Sequence, residues 1–72
     1  MKTKKKIYSA PALEKGLDIL ELLSKNQNGL TQAEIANKLN RTVNEIYRML
    51  NILTLRNYIQ ANKKTDIYNL TY

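Results

Sequence analysis

Three short helices followed by a β-hairpin, a mainly α fold with a small β element, is the fold class this chain predicts. Three observations carry it. Two helix-start signals stand eleven residues apart, at Thr31 and Thr42, each opening an amphipathic run. A longer apolar-periodic run precedes them, and after Tyr58 the hydrophobic period changes from helical to alternating. Two short helices joined by a tight turn make a helix-turn-helix, and a hairpin directly after it is a wing. The expected architecture is therefore a winged helix-turn-helix of three helices plus wing over residues 9–72, with residues 1–8 as a disordered basic arm.

Length and composition bound the rest. A chain of 72 residues has room for one domain with a small core. It contains neither cysteine nor histidine, which excludes a disulfide framework, a zinc site built on those ligands and a histidine general base. The acids are scattered over helix starts, one helix surface and one turn, so no nucleophile–base pair or metal cluster assembles. Neither an enzyme nor a cofactor is expected. Lys2 to Lys6 imitates the charged start of a signal peptide, but Ser9, Pro11, Glu14 and Lys15 leave no apolar stretch after it. No uninterrupted apolar run exceeds two residues, so no membrane span is expected and the default location is cytoplasmic.

The net charge of +6 is unevenly spread. Residues 1–8 hold four lysines and no acid, residues 9–29 balance to −1, and residues 30–72 balance to +3. The middle segment thus looks unlike a polyanion-binding face, whereas the arm and the second half suit one. Such a basic surface raises the encounter rate with nucleic acid and supplies salt-dependent affinity. The competing reading is solubility alone.

The elements follow in order. Five of the first six residues are polar, so residues 1–8 read as an arm that either lies along phosphates or is a solvated terminus. The first helix begins near Ser9 as N-cap, with Pro11 tolerated because first-turn N–H groups lack intrahelical partners. Leu13, Leu17, Leu20 and Leu23 recur at helical spacing as its core stripe. Ala12, Ile19 and Leu22 lie outside that stripe: either the domain wraps round this helix, or a second face meets another subunit in a homodimer. Gly16 weakens the helix unless another backbone packs closely there. Asn26 to Gly29 ends it.

Thr31-Gln32-Ala33-Glu34 and Thr42-Val43-Asn44-Glu45 both fit the capping box, in which the Thr hydroxyl accepts from the third residue's N–H and the Glu reaches back. Leu30 is the N′ residue of a hydrophobic staple or part of a short strand. The second helix is expected over about Gln32–Leu39, burying Ala33, Ile35, Ala36 and Leu39, with Asn40 as its left-handed stop. The third is expected from Val43 to Leu55 or Arg56, with Val43, Ile46, Met49, Leu50 and Leu53 facing inward. Asn44, Glu45, Tyr47, Arg48 and Asn51 are left for the outer side, and Asn57 stops the helix as Asn40 did. Ile59 with Ala61, and Tyr68 with Leu70, each share a face of a strand. Asn62 to Asp66 reads as the hairpin loop, with Lys63 and Lys64 at its tip.

These segments together resemble a known family. Pro11 to Leu23, then Gly29-Leu30-Thr31 with Ala33-Glu34-Ile35-Ala36, then Ile46-Tyr47-Arg48-Met49-Leu50 and Asn57-Tyr58-Ile59, are similar to the amino-terminal domain of IclR-type bacterial transcription regulators. The resemblance implies a winged helix-turn-helix that binds operator DNA as a dimer through its third helix. By position Asn44, Glu45, Tyr47 and Arg48 match the start of that recognition helix. The departures are Asn40 and Asn57 where the family has glycine, a wing loop without glycine, and Glu45 in place of a small hydroxyl residue, which implies a different base preference. The family's larger effector-sensing domain has no counterpart, so an isolated domain without a small-molecule site is expected.

In a major groove, Arg48 suits guanine, Asn44 an adenine edge, Glu45 cytosine N4, and Tyr47 a phosphate or thymine methyl. Thr31, Gln32, Arg41, Thr42, Lys63 and Lys64 would hold phosphates. Competing roles exist for several: Arg48 paired with Glu45 along the helix, Glu45 serving its cap alone, and Asn44 and Asn51 merely solvated. The alternative function is a winged-helix protein-interaction module that does not bind DNA. It would expose an apolar cluster on the third helix, where this sequence places Asn, Glu, Arg and one Tyr. A Z-form nucleic-acid binder of similar architecture would carry a wing tryptophan, which the chain lacks.

Overall fold

The computed structural model describes residues 10–71. The basic arm and the Ser9 cap lie outside the described residues. The order of elements is α1 (Pro11–Ser24), β1 (Leu30–Thr31), α2 (Gln32–Lys38), α3 (Val43–Leu55), β2 (Ile59–Asn62) and β3 (Ile67–Leu70). The three strands form an antiparallel sheet in the order β1-β3-β2.

Local chemistry sets each boundary. Pro11 opens α1 in the first helical turn, and the N-cap position is Ala10, whose side chain makes no capping bond. Proline's preset φ suits that first turn. At the other end the Leu22 carbonyl accepts from the Lys25 N–H at 3.1 Å and from Asn26 Nδ2 at 2.8 Å, so the side chain reinforces the last turn. Gly29 turns the chain toward β1 with φ +87°. A Cβ there would overlap Ile67 Cγ2 and lie 2.7 and 2.8 Å from the amide atoms of Asn69, so only glycine lets β3 pass this closely.

Both capping boxes form. The Thr31 N–H donates to Glu34 Oε1 at 2.9 Å and the Glu34 N–H to Thr31 Oγ1 at 3.2 Å; Thr42 and Glu45 repeat the arrangement at 2.8 and 3.2 Å. Helices α2 and α3 also end alike. Asn40 and Asn57 take left-handed backbone, φ 57° and 68°. Around Asn40, Arg41 N–H reaches Ala36 O and Asn40 N–H reaches Asn37 O; around Asn57, Tyr58 N–H reaches Leu53 O and Asn57 N–H reaches Thr54 O. Each is a Schellman stop, with asparagine supplying the backbone that glycine usually does.

The core is Ile19, Leu23, Leu30, Ile35, Ala36, Ile46, Leu50 and Ile59. Leu20, Leu22, Leu39, Met49, Leu53, Tyr68 and Leu70 pack partly against it. Helix α3 rests on α1, α2 and β2, so its inner stripe is covered along its length. Full burial of an Ile or Leu side chain contributes about 1.5–3 kcal/mol.

Three packing expectations are corrected. Ile19 is wholly buried while Leu13 and Leu17 are 63% and 45% exposed, so the inward stripe of α1 runs through Ile19 and Leu23. Ile19 therefore belongs to no subunit interface, and Leu22 is half-buried against the core; of that expected face only Ala12 is exposed. Ala33 and Val43 are exposed, because each sits in the first turn of its helix, ahead of the buried Ile35 and Ile46. A methyl group placed on Gly16 would meet nothing within 4 Å, so no close backbone accounts for that glycine.

Candidate nucleic-acid interface

The outer side of α3 is free of the domain. Asn44, Glu45, Tyr47, Arg48 and Asn51 are all exposed, and the side chains of Asn44, Glu45, Tyr47 and Arg48 meet in one cleft of about 650 Å³. Met49 of α3 and Lys15 of α1 complete its walls. Helix α3 can project these groups because Ile46 and Leu50, on the opposite side, anchor it wholly buried. Further along, the outer side changes character: Ile52 and Leu55 are exposed, Leu55 at 77%.

Arg48 makes no ion pair among the described residues; the Glu45 carboxylate faces Arg41 instead, at 3.9 Å. That pair is at the surface, both side chains over a third exposed, where solvent screens it. Glu45 is more firmly placed. Its Oε1 accepts from the Thr42 N–H at 2.8 Å and from the Thr42 hydroxyl at 3.4 Å. That backbone bond holds its carboxyl below its ordinary value; desolvation opposes the shift, and Lys15, Arg41 and the Thr42 hydroxyl add to it.

The other expected contacts fall in separate places. Arg41, Thr42 and Glu45 border a hollow of about 260 Å³ at the turn between α2 and α3, with Ala36, Asn37 and Asn40. Thr31 and Gln32 line a groove of about 380 Å³ shared with Thr65, Asp66 and Tyr68 of the hairpin. The fold thus joins the start of α2 to the turn end of the wing. Lys63 and Lys64 are exposed in the hairpin turn. Its shape is set without glycine: Asn62 Oδ1 accepts from the Lys64 N–H at 2.9 Å, Asn62 O accepts from the Asp66 N–H at 2.7 Å, and Asp66 takes φ 60°. An aspartate tolerates that backbone because its short polar side chain relieves the steric cost.

A profile of the IclR helix-turn-helix domain matches residues 12–63, more than half of the chain. The chain belongs to the IclR helix-turn-helix domain family. Its architecture is that of a winged helix-turn-helix. The fold is similar to the crystal structure of an IclR transcriptional regulator from Alicyclobacillus acidocaldarius, with TM-score 0.84 and 24% identity over 90% of this chain. This IclR domain spans 26% of that protein's length. It is also similar to Cyprinid Herpesvirus3 ORF112-Zalpha, in a structure of its binding mode to Z-DNA: TM-score 0.75, 24% identity, 82% of this chain and 95% of that one. No curated protein matches the chain significantly.

Sequence reasoning missed two members of this surface. Lys15 stands among the acids of α1, and only the packing of α1 on α3 brings it to the cleft. Asp66 was read as the end of the hairpin loop, but its left-handed backbone, φ 60°, and its place beside Thr31 and Gln32 were not.

Proposed function

We propose that this IclR domain binds double-stranded DNA sequence-specifically as the reading head of a transcription regulator, with α3 in the major groove. The observation that supports it most is the exposed start of α3, where Asn44 and Arg48 stand outward and Arg48 makes no ion pair among the described residues, in a chain of net charge +6. Arg48 is the guanine-reading residue and Asn44 the adenine-reading one. Glu45 gives its Oε1 to the Thr42 cap and keeps Oε2, toward Arg41, for a cytosine amino group. Tyr47 meets a phosphate or thymine methyl, and Thr31, Gln32, Arg41, Thr42, Lys63 and Lys64 hold the backbone.

Two copies would read a symmetric operator, as helix-turn-helix dimers do, with half-sites about one helical turn apart. Leu13 and Leu17, the large apolar side chains α1 leaves exposed, are the surface for that pairing. The regulator works in the cytoplasm, where a bacterial chromosome lies. No described helix is long and apolar enough to cross a membrane.

The protein-interaction alternative draws on one observation, the exposed Ile52 and Leu55 beyond the polar start of α3. A gel shift with random duplex at low salt separates the two. Retardation is expected; its absence gives the interaction module the field. Selection from a random duplex pool then yields half-site and spacing together.

A further inference from the structure

The cleft beside α3 has a wall that the DNA-reading residues do not account for. Helix α1 carries three acids, Glu14, Asp18 and Glu21, and a single base, Lys15. That one base is the α1 residue lining the cleft with Asn44, Tyr47 and Arg48. Its side chain is half-buried. Among the described residues the ion pair within 4 Å is that of Arg41 with Glu45, so Lys15 is in salt-bridge contact with none of the described acids. Its charge still reaches this surface, since it helps hold the Glu45 carboxyl low.

We propose that Lys15 is a DNA phosphate contact, which makes α1 a third element of the interface beside α3 and the wing. The inference rests on the DNA-binding reading above. A duplex seated against Arg48 brings its phosphates toward a helix that is otherwise acidic, and a like-charge approach there weakens binding. One ammonium at the cleft wall offsets that repulsion locally. Lysine suits such a contact, because a compact point charge on a flexible stem tracks a phosphate without demanding the fixed geometry of a base edge. Lys15 contributes affinity and register in this arrangement, and no sequence preference.

The test is an anisotropy titration of the full chain, over a series of salt concentrations, against two labelled duplexes of equal length. One comes from the selected pool and the other is unrelated. K15Q is expected to weaken both by the same factor, roughly three- to tenfold, and to lower the slope of log K against log salt by about one. K15R is expected to restore the slope. A melting curve of K15Q matching the parent shows that the fold is intact; if it does not match, K15M, which keeps the apolar stem, takes its place. Parent-like salt slopes in the glutamine or methionine variant overturn the Lys15 contact and leave the DNA reading standing. So does a loss confined to the selected duplex, which marks a base contact. If the parent chain binds neither duplex at low salt, both readings fall together.

Discussion

Thr42 and Glu45 hold one another twice: the Thr42 N–H donates to Glu45 Oε1 at 2.8 Å, and the Glu45 N–H donates to Thr42 Oγ1 at 3.2 Å. The start of α3 and its one acidic side chain are therefore fixed by the same pair. T42A is expected to cost about 1 kcal/mol in a denaturant titration, the usual cost of a lost N-cap. Glu45 adds a pH dependence whose sign follows from its lowered pKa. The ionised carboxylate is favoured in the folded state, so its stabilisation is complete above the unfolded-state pKa, about 4.3, and fades as pH falls through the lower folded value. Comparing melts of parent and E45Q across that range checks this. The gap between them should narrow on acidification, and a gap that widens contradicts it.

Arg48 is expected to be the dominant reader. R48A should lose about 1–3 kcal/mol at the selected site and relax the preference at one base pair. Binding of the parent and R48A with equal affinity would remove α3 as the reading element.

Lys63 and Lys64 sit in a turn that Asn62 closes through both its side chain and its carbonyl. Their joint replacement by alanine should weaken all duplexes alike and lower the salt slope by about two. Altered base preference in the double variant would mean that the wing reads sequence.

The two glycines should respond oppositely. G16A meets open space in a helix interior and is expected to stabilise by about 1 kcal/mol. G29A meets Ile67 and Asn69 at φ +87° and is expected to destabilise by about 1–3 kcal/mol. Thermal melts of the two variants should move in opposite directions.

Ile19 and Leu13 differ in the same way on one helix. I19A is expected to cost about 2–5 kcal/mol as a fully buried truncation. L13A, at an exposed position, should change monomer stability by about 0.5 kcal/mol or less. Sedimentation of L13A with L17A should show weakened self-association; an unchanged association constant places the pairing surface elsewhere.

What the sequence determined by itself is the set of features whose cause is local. The two capping boxes, the asparagine stops at Asn40 and Asn57 and the span of α3 each depend on residues within one or two turns of one another, so they were legible in the order of residues. The outward set Asn44, Glu45, Tyr47 and Arg48 followed from the strong inward stripe of Ile46 and Leu50. Helix α1 was different. Leu13, Leu17, Leu20 and Leu23 make as good a stripe as one through Ile19, because an apolar helix on two sides has no preferred phase of its own. Only packing against α3 and β3 decided that Ile19 turns inward, Leu13 outward, and Lys15 toward the cleft. Burial is a property of what lies across the interface, and that partner is remote in the chain.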